Sequence, residues 1–427
     1  MFSRNERADA FEALPDKQRL SIAFLVERFP TTSETFISRK VDFLLRNGHD
    51  LHVFCRRYDR SIEHPPEWKE RIHVVHVADG WPVSDTLWAA ARYIRGLVTA
   101  EINTEQFRDA LREASEAGQG RRMCIESISH LLNQRWDIIH AHFLRSLDGF
   151  TGLKHLLRCP VVGAVYGYDV TVRPYGKGGL RTLETEIAQV DSLIYSSKFL
   201  RKQLHSLLDI DCQTELILPP EVPIEAFTPR VRKTPHNPLR LLSVGRLVWE
   251  KGYPFALAAI RGLLDDGLDI EYRVVGEGPQ RAEIEYSIRN LSLGHHIHLE
   301  GAVSNERVVE IMAWADILVL PSVREDFGVV LLEAQASGLP IIASRVGGVP
   351  EATCESETAL LVRSHSPEEL ASRIKTLATD HDLFRRLSEK GPAYAKRFSN
   401  EKIGEQLVAW YRRLIKRRMI YDGECLD

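Results

Sequence analysis

Short apolar runs alternate with helix-length segments along nearly the whole of this chain, and that alternation leaves it few folds. In the first half the runs are Leu20 to Val26, Leu51 to Cys55, Ile72 to Val77, Ile138 to Phe143, Val161 to Val165 and Leu193 to Tyr195. In the second half they are Leu239 to Val244, Ile270 to Val275, Ile297 to Leu299, Ile317 to Leu320 and Pro340 to Ala343. Such β-rich runs read as buried strands, with room for a helix between most of them. The second series recurs roughly every twenty to thirty residues, the length of a βα unit. Strands alternating with helices build parallel, doubly wound sheets, so the chain is expected to be α/β, with two Rossmann-like domains in tandem. Thr228 to Leu239, with Pro229, Pro235 and Pro238, reads as the linker between them. Residues 79–135, rich in Ala, Arg and Glu, read as a helical insertion.

The 427 residues are enough for two or three domains, each with its own core. The expected boundaries are a disordered extension over 1–18, a first domain over 19–230, a second over 231–398, and a C-terminal helix and tail over 399–427. A net charge of -3 gives no global pull toward nucleic acid. The six cysteines are scattered, with no C-x-x-C pair, which argues against a disulfide framework or a zinc site. No signal-type apolar segment opens the chain, and no window offers an uncharged apolar span of membrane length. A cytoplasmic protein is the expectation.

The densest chemistry lies in Glu325-Asp326-Phe327-Gly328-Val329-Val330-Leu331-Leu332-Glu333-Ala334. Two carboxylates, Glu325 and Glu333, are separated by seven residues, with Gly328 at an expected strand-to-helix junction. A helix start offers free N–H groups and the positive end of a dipole, which favours a phosphate. Acceptors on both sides of such a site suit a ligand rich in hydroxyls, such as a nucleotide sugar. Ligands of these sheets bind beyond the carboxyl ends of the strands. At the end of the first strand of the second series, Gly245-Arg246 is followed by Trp249-Glu250-Lys251-Gly252. Gly245 permits close backbone approach, and Arg246 and Lys251 suit a diphosphate, one as a fork and the other as a point charge. The bland reading is two solvated cations; their place after a strand, together with the acidic motif, argues against it. Gly276-Glu277-Gly278-Pro279 and Gly301-Ala302-Val303 follow the next two strands, either as simple turns or as loops that line a ligand.

Taken in order, these motifs, with Pro321-Ser322 and Gly347-Gly348-Val349-Pro350-Glu351, resemble those of retaining glycosyltransferases of family 4, which have the GT-B fold. The resemblance covers essentially the whole C-terminal half. In the N-terminal half, Phe29-Pro30, Ser33-Glu34-Thr35-Phe36-Ile37, Gly48-His49 and Asp137 to Phe143 are similar, more loosely, to the branch that builds bacterial exopolysaccharides of the colanic-acid kind. The resemblance implies two doubly wound domains facing across a cleft, with the last helix crossing back to the first domain. It implies that Arg246 and Lys251 hold the donor diphosphate, that Glu333 binds the ribose hydroxyls and that Glu325 holds the transferred sugar. Gly245, Gly276, Phe327, Gly328 and Val329 belong to the same donor site, and Val303 lines the base. On the acceptor side it implies Ser33, Glu34 and Asp169, with His142 and Tyr166 joining Glu325 in catalysis. No metal and no cofactor is implied; the donor is a UDP- or GDP-linked sugar, and the acceptor a glycan or a lipid-linked saccharide.

Three segments depart from the family pattern. Tyr166-Gly167-Tyr168-Asp169 stands where a His-Gly-x-Asp segment is usual, so a phenol replaces an imidazole. Pro219-Pro220-Glu221-Val222-Pro223 stands in place of Gly-Val-Asp. Pro30-Thr31-Thr32-Ser33 lacks the common glycine pair. Asp209-Ile210-Asp211 matches a metal-binding D-x-D only in letters, because it follows a helix-like segment, and His295, His296 and His298 lack ligand partners at metal spacing. His140 and His142 share one strand face, as core residues or as part of a site. The last helix carries Ile403, Leu407, Trp410, Leu414 and Ile415 at helical spacing, with Arg412, Arg413, Lys416, Arg417 and Arg418. It reads either as a helix packed on the protein or as a basic helix in peripheral contact with an anionic membrane. Two functions follow. One is a retaining hexosyltransferase of polysaccharide synthesis; the other is a non-catalytic GT-B protein that binds a nucleotide sugar or supports a biosynthetic complex.

Overall fold

The computed structural model describes residues 19–31, 34–75, 112, 128–148, 150, 152–157, 159–176, 178–210 and 214–421. The extension over 1–18, most of 79–135, and Thr32, Ser33 and Asp211 lie outside the described residues.

The described chain divides into two compact units. The first comprises the chain up to Ile194, with His205–Leu216 and the chain from Gly404; the second is Tyr195–Leu204 with Ile217–Ile403. The first unit holds a seven-stranded sheet in the order β3-β2-β1-β4-β5-β6-β7. Its strands are β1 Ser21–Phe29, β2 Asp50–Tyr58, β3 Ile72–Val74, β4 Ile138–His142, β5 Val161–Val165, β6 Ser192–Tyr195 and β7 Glu215–Ile217. Strand β1 pairs in parallel with both β2 and β4. The second unit holds six parallel strands in the order β10-β9-β8-β11-β12-β13. These are β8 Leu239–Val244, β9 Ile270–Val275, β10 Ile297–Gly301, β11 Ile317–Leu320, β12 Ile341–Ser344 and β13 Ala359–Val362. Each apolar run of the sequence becomes a strand; β7 and β13 are additional. The strand order reverses between β1 and β4 and between β8 and β11. Those switch points open a crevice beyond the strand ends, where ligands of such sheets bind.

The proline-rich stretch is not a free linker but a strap fastened to the second unit. Arg232 donates to the carbonyls of Met312 (2.7 Å), Ala315 (2.9 Å), Ser337 (3.0 Å) and Gly338 (2.9 Å). These carbonyls end the helices Asn305–Trp314 and Val329–Ala336, so one guanidinium caps two helix C-termini at the negative ends of their dipoles. Burial lowers its pKa to about 10. Four residues on, His236 Nδ1 lies 2.7 Å from Asp316, whose other oxygen accepts from the N–H groups of His236 and Arg240. Residues 217–230 belong with this unit too, because Val222 N–H donates to Phe398 O (2.8 Å) and Val222 and Phe227 join its core.

The helix Asn400–Tyr421 belongs from Gly404 onward to the first unit, as expected of a helix that crosses back. Leu407, Tyr411 and Leu414 are buried, and a side chain on Gly404 would collide with the ring of Phe43. Its basic end is drawn into this packing. Arg418 donates to Cys159 O (3.1 Å) and pairs with Asp191 (3.2 Å), and Arg417 donates to Thr214. No helix among the described residues is long and apolar enough to cross a membrane.

Candidate active site

In the second unit, the loops after β8, β11 and β12 interlock at the switch point. Glu250 O accepts from Val323 N–H (2.7 Å), which fastens the β8 loop to the β11 loop. Gly252, at φ +67°, passes so close that a Cβ would lie 2.1 Å from Pro321 O. Gly348 N–H donates to Glu325 O (3.1 Å), and a Cβ on Gly347 (φ +53°) would lie 1.7 Å from the same oxygen. The glycines of this motif are therefore required where backbones cross. Gly245 differs: a Cβ there would meet nothing closer than 3.4 Å, so no internal contact demands a glycine.

This interlock brings together residues far apart in sequence. Lys251 Nζ donates to Glu325 Oε2 at 2.6 Å, and Ser322 Oγ reaches the same oxygen at 3.2 Å. Arg246 is exposed and forms no ion pair among the described residues. The helix Val329–Ala336 begins at Gly328 (φ +89°) with no side-chain cap. Its first N–H groups carry the partial positive charge that an anion neutralises. Phe327 is buried against Phe398, so its backbone alone is available to a ligand. Glu333 lies in this helix, partly exposed. Gly276 N–H donates to Gly301 O (2.8 Å), joining the loops after β9 and β10, and Val303 packs against the core beneath them.

Two residues here escaped sequence reasoning. Asp326, beside Glu325, has its pKa raised to about 6, by burial first and by the Glu325 charge second. Adjacency to Glu325 was the only signal for it. Glu351, noted only as part of a motif, accepts from the N–H groups of Lys198 (2.8 Å) and Phe199 (2.9 Å) and so caps the helix Lys198–Leu207.

In the first unit, β4 ends in His140 and His142, both fully buried and stacked with centroids 4.3 Å apart. Burial pushes the His140 pKa down to about 3 and that of His142 well below the ordinary range, with Lys40 adding to both shifts. Both rings are neutral at physiological pH. His140 Nδ1 bonds the Tyr411 hydroxyl, and His142 Nδ1 lies 3.2 Å from the Tyr166 hydroxyl, while the Nε2 atoms have no hydrogen-bond partner among the described residues. Tyr166 precedes the short helix Gly167–Thr171 and is wedged between Phe36 and Phe143, with centroids at 4.8 Å and 4.5 Å. Its N–H donates to Asp169 Oδ2 (3.0 Å).

Asp169, expected on the acceptor side, is completely buried and faces Arg173 at 3.6 Å, while its Oδ1 makes no hydrogen bond among the described residues. Burial raises its pKa to about 7. Glu34 stands just before the helix Thr35–Arg46, with its pKa raised by burial against the opposing charges of Arg145 and Arg28. Ser33 lies outside the described residues. Asp209 follows the helix Lys198–Leu207, as its D-x-D context suggested, and among the described residues no group of three His, Cys, Asp or Glu is placed to hold a metal.

Two doubly wound parallel sheets, one ending in a cation-rich, helix-started loop cluster, define the class of GT-B proteins. The family described as glycosyl transferases group 1 matches residues 225–394. The D-inositol 3-phosphate glycosyltransferase of Corynebacterium glutamicum is 30% identical over 316 residues, 68% of this chain and 75% of that protein. A putative colanic acid biosynthesis glycosyltransferase of Salmonella typhimurium is 24% identical over 411 residues, 91% of this chain and 99% of that one. Among solved structures, Anabaena HepE in complex with UDP-glucose superposes with a TM-score of 0.66 at 16% identity, covering 92% of this chain and all of that one, which shows the shared fold. The chain belongs to the group 1 glycosyltransferases, the retaining hexosyltransferases of family 4.

Proposed function

We propose that this protein moves a hexose, with retention, from a UDP-linked sugar to a glycan or lipid-linked saccharide during polysaccharide synthesis. The observation that carries the reading is the Lys251–Glu325 pair, at 2.6 Å, beside the uncapped start of Val329–Ala336. Lys251, the exposed Arg246 and the helix N–H groups supply positive charge where a departing diphosphate gains negative charge, and fixed donors need no reorganisation to do so. Glu325 and Glu333 supply acceptors for the hydroxyls of the sugar and the ribose. Neutral His142 and Tyr166 serve on the acceptor side, where neither adds a charge.

The choice of UDP is supported by the complex of the structural neighbour HepE, and the polysaccharide setting by the name of the Salmonella relative. Peripheral membrane contact draws no support from the helix Asn400–Tyr421, whose Arg417 and Arg418 are engaged on the first unit. A non-catalytic role rests on Tyr166 alone. Incubation with a panel of nucleotide sugars, followed by assay of released nucleotide, tests the reading. Release from at least one donor, slowed in Lys251→Ala, is expected; no release from any donor would leave the binding role standing.

A further inference from the structure

The carboxyl end of β4 carries one cation that the reading above does not use. Arg145 follows β4 by three residues, on the same switch point as Glu34 and His142. Its guanidinium carbon lies 5.0 Å from the ring centroid of Tyr168 and 5.6 Å from that of Phe143. Among the described residues its guanidinium makes no ion pair or hydrogen bond, and its Nε is buried without a partner. Another cation nearby, Arg173, is already held by both oxygens of Glu186 at 2.6 Å. Glu34 and Asp169 sense the charge of Arg145, yet neither pairs with it.

An unpaired guanidinium that has lost part of its water is unfavourable unless a ligand completes it. Two features show that its place is specified. Phe143 takes φ 67° and ψ 136°, a strained conformation for a non-glycine residue, and its ring lies on one side of Arg145. Tyr168 contributes the second ring and is 42% exposed, which leaves area for a sugar to pack against. A fork of donors held by aromatic rings suits a planar or tetrahedral oxyanion.

We propose that Arg145 anchors an oxyanion of the acceptor, either a phosphate or a uronate carboxylate, beside the saccharide that receives the hexose. This rests on the transferase reading for the word acceptor, but the binding itself needs no donor. The test is calorimetric titration of the full chain with hexyl phosphate, hexyl glucuronide and hexyl glucoside. A charged probe is expected to bind about ten-fold or more tightly than the neutral glucoside, as a charge-assisted hydrogen bond implies. Preference for hexyl phosphate assigns the anion to a lipid phosphate, and preference for hexyl glucuronide assigns it to an acidic sugar. Arg145→Leu should abolish the preference, Arg145→Lys should retain part of it, and Arg181→Ala, an exposed arginine of the same unit, should retain all of it. Equal binding of all three probes to the unmodified protein overturns the proposal whatever the variants do, and so does a persistent preference in a folded Arg145→Leu. Nucleotide release from donors, measured separately, reports on the transferase reading alone.

Discussion

The ion pair between Lys251 and Glu325 sets the character of the donor site residue by residue. Lys251→Ala removes a cation from the proposed diphosphate site and breaks the ion pair with Glu325. A charge-assisted bond is worth roughly 1.5–3 kcal/mol, so kcat/KM is expected to fall about ten- to a hundred-fold. Glu325→Gln should lower kcat, because it loosens the transferred sugar, whereas Glu333→Gln should mainly raise KM for the donor. Steady-state kinetics in which the two glutamine variants coincide would contradict that division. Asp326 adds a pH dependence. With its pKa raised to about 6, it is neutral in mild acid and an anion above, beside the proposed diphosphate site. Donor affinity is therefore expected to tighten as pH falls from 7.5 to 5.5, and Asp326→Asn should flatten the profile. The same shift makes the folded state bind more protons than the unfolded chain between about pH 4 and 6, so stability falls as pH rises through that window. Asp326→Asn should consequently stabilise the fold at pH 7.5 by on the order of 1–3 kcal/mol and so raise its melting temperature. An unchanged melting temperature and an unchanged pH slope would remove Asp326 from the account.

Elements place these residues by crossing backbones, and glycine substitutions read that directly. Gly347→Ala would put a methyl group 1.7 Å from Glu325 O at a positive φ, so it should both destabilise the protein and reduce donor turnover. Gly262, inside the helix Tyr253–Asp265 with nothing within 4 Å of its Cβ position, should instead gain about 0.5–1 kcal/mol as alanine. Thermal melts of the two variants that moved in the same direction would contradict this. The strands were legible because parallel sheets bury both faces, leaving continuous apolar runs such as Ile317 to Leu320. Strand β7 was not, since its three residues are only partly buried, and β13 was not, since four apolar residues alone do not separate strand from helix. The residues that the interlocked loops of the second unit bring together were legible as linear motifs. The fastening of the proline-rich strap by Arg232 was not, because four of its carbonyl partners come from two helix ends that only the fold brings together. Arg145 gave no pattern at all, and Phe143 was legible only as the end of an apolar run; a strained φ has no signature in residue type.

On the scale of the whole molecule, the last helix completes the first unit, and Tyr411 ties it to β4 through His140. Tyr411→Phe leaves the buried His140 Nδ1 without a partner and should lower stability by about 1–3 kcal/mol, measured by denaturant melting. An unaffected midpoint would mean that the helix is held by apolar packing alone. The two units carry different chemistry: the second gathers cations at a helix start, suited to the proposed diphosphate, while the first surrounds its histidines with aromatic rings and keeps them neutral. What this scale puts to the test is the proposed retaining transfer of a hexose from a nucleotide sugar, with the prediction that it needs no metal. The most direct measurement is NMR of the product formed from a UDP-α-hexose in the presence of EDTA. Nucleotide release and an α-linked product are expected, at a rate close to that without the chelator. Absence of turnover with every donor, a β-linked product, or activity lost to EDTA and restored by manganese, which would turn attention to Asp209 and Asp211, would contradict it.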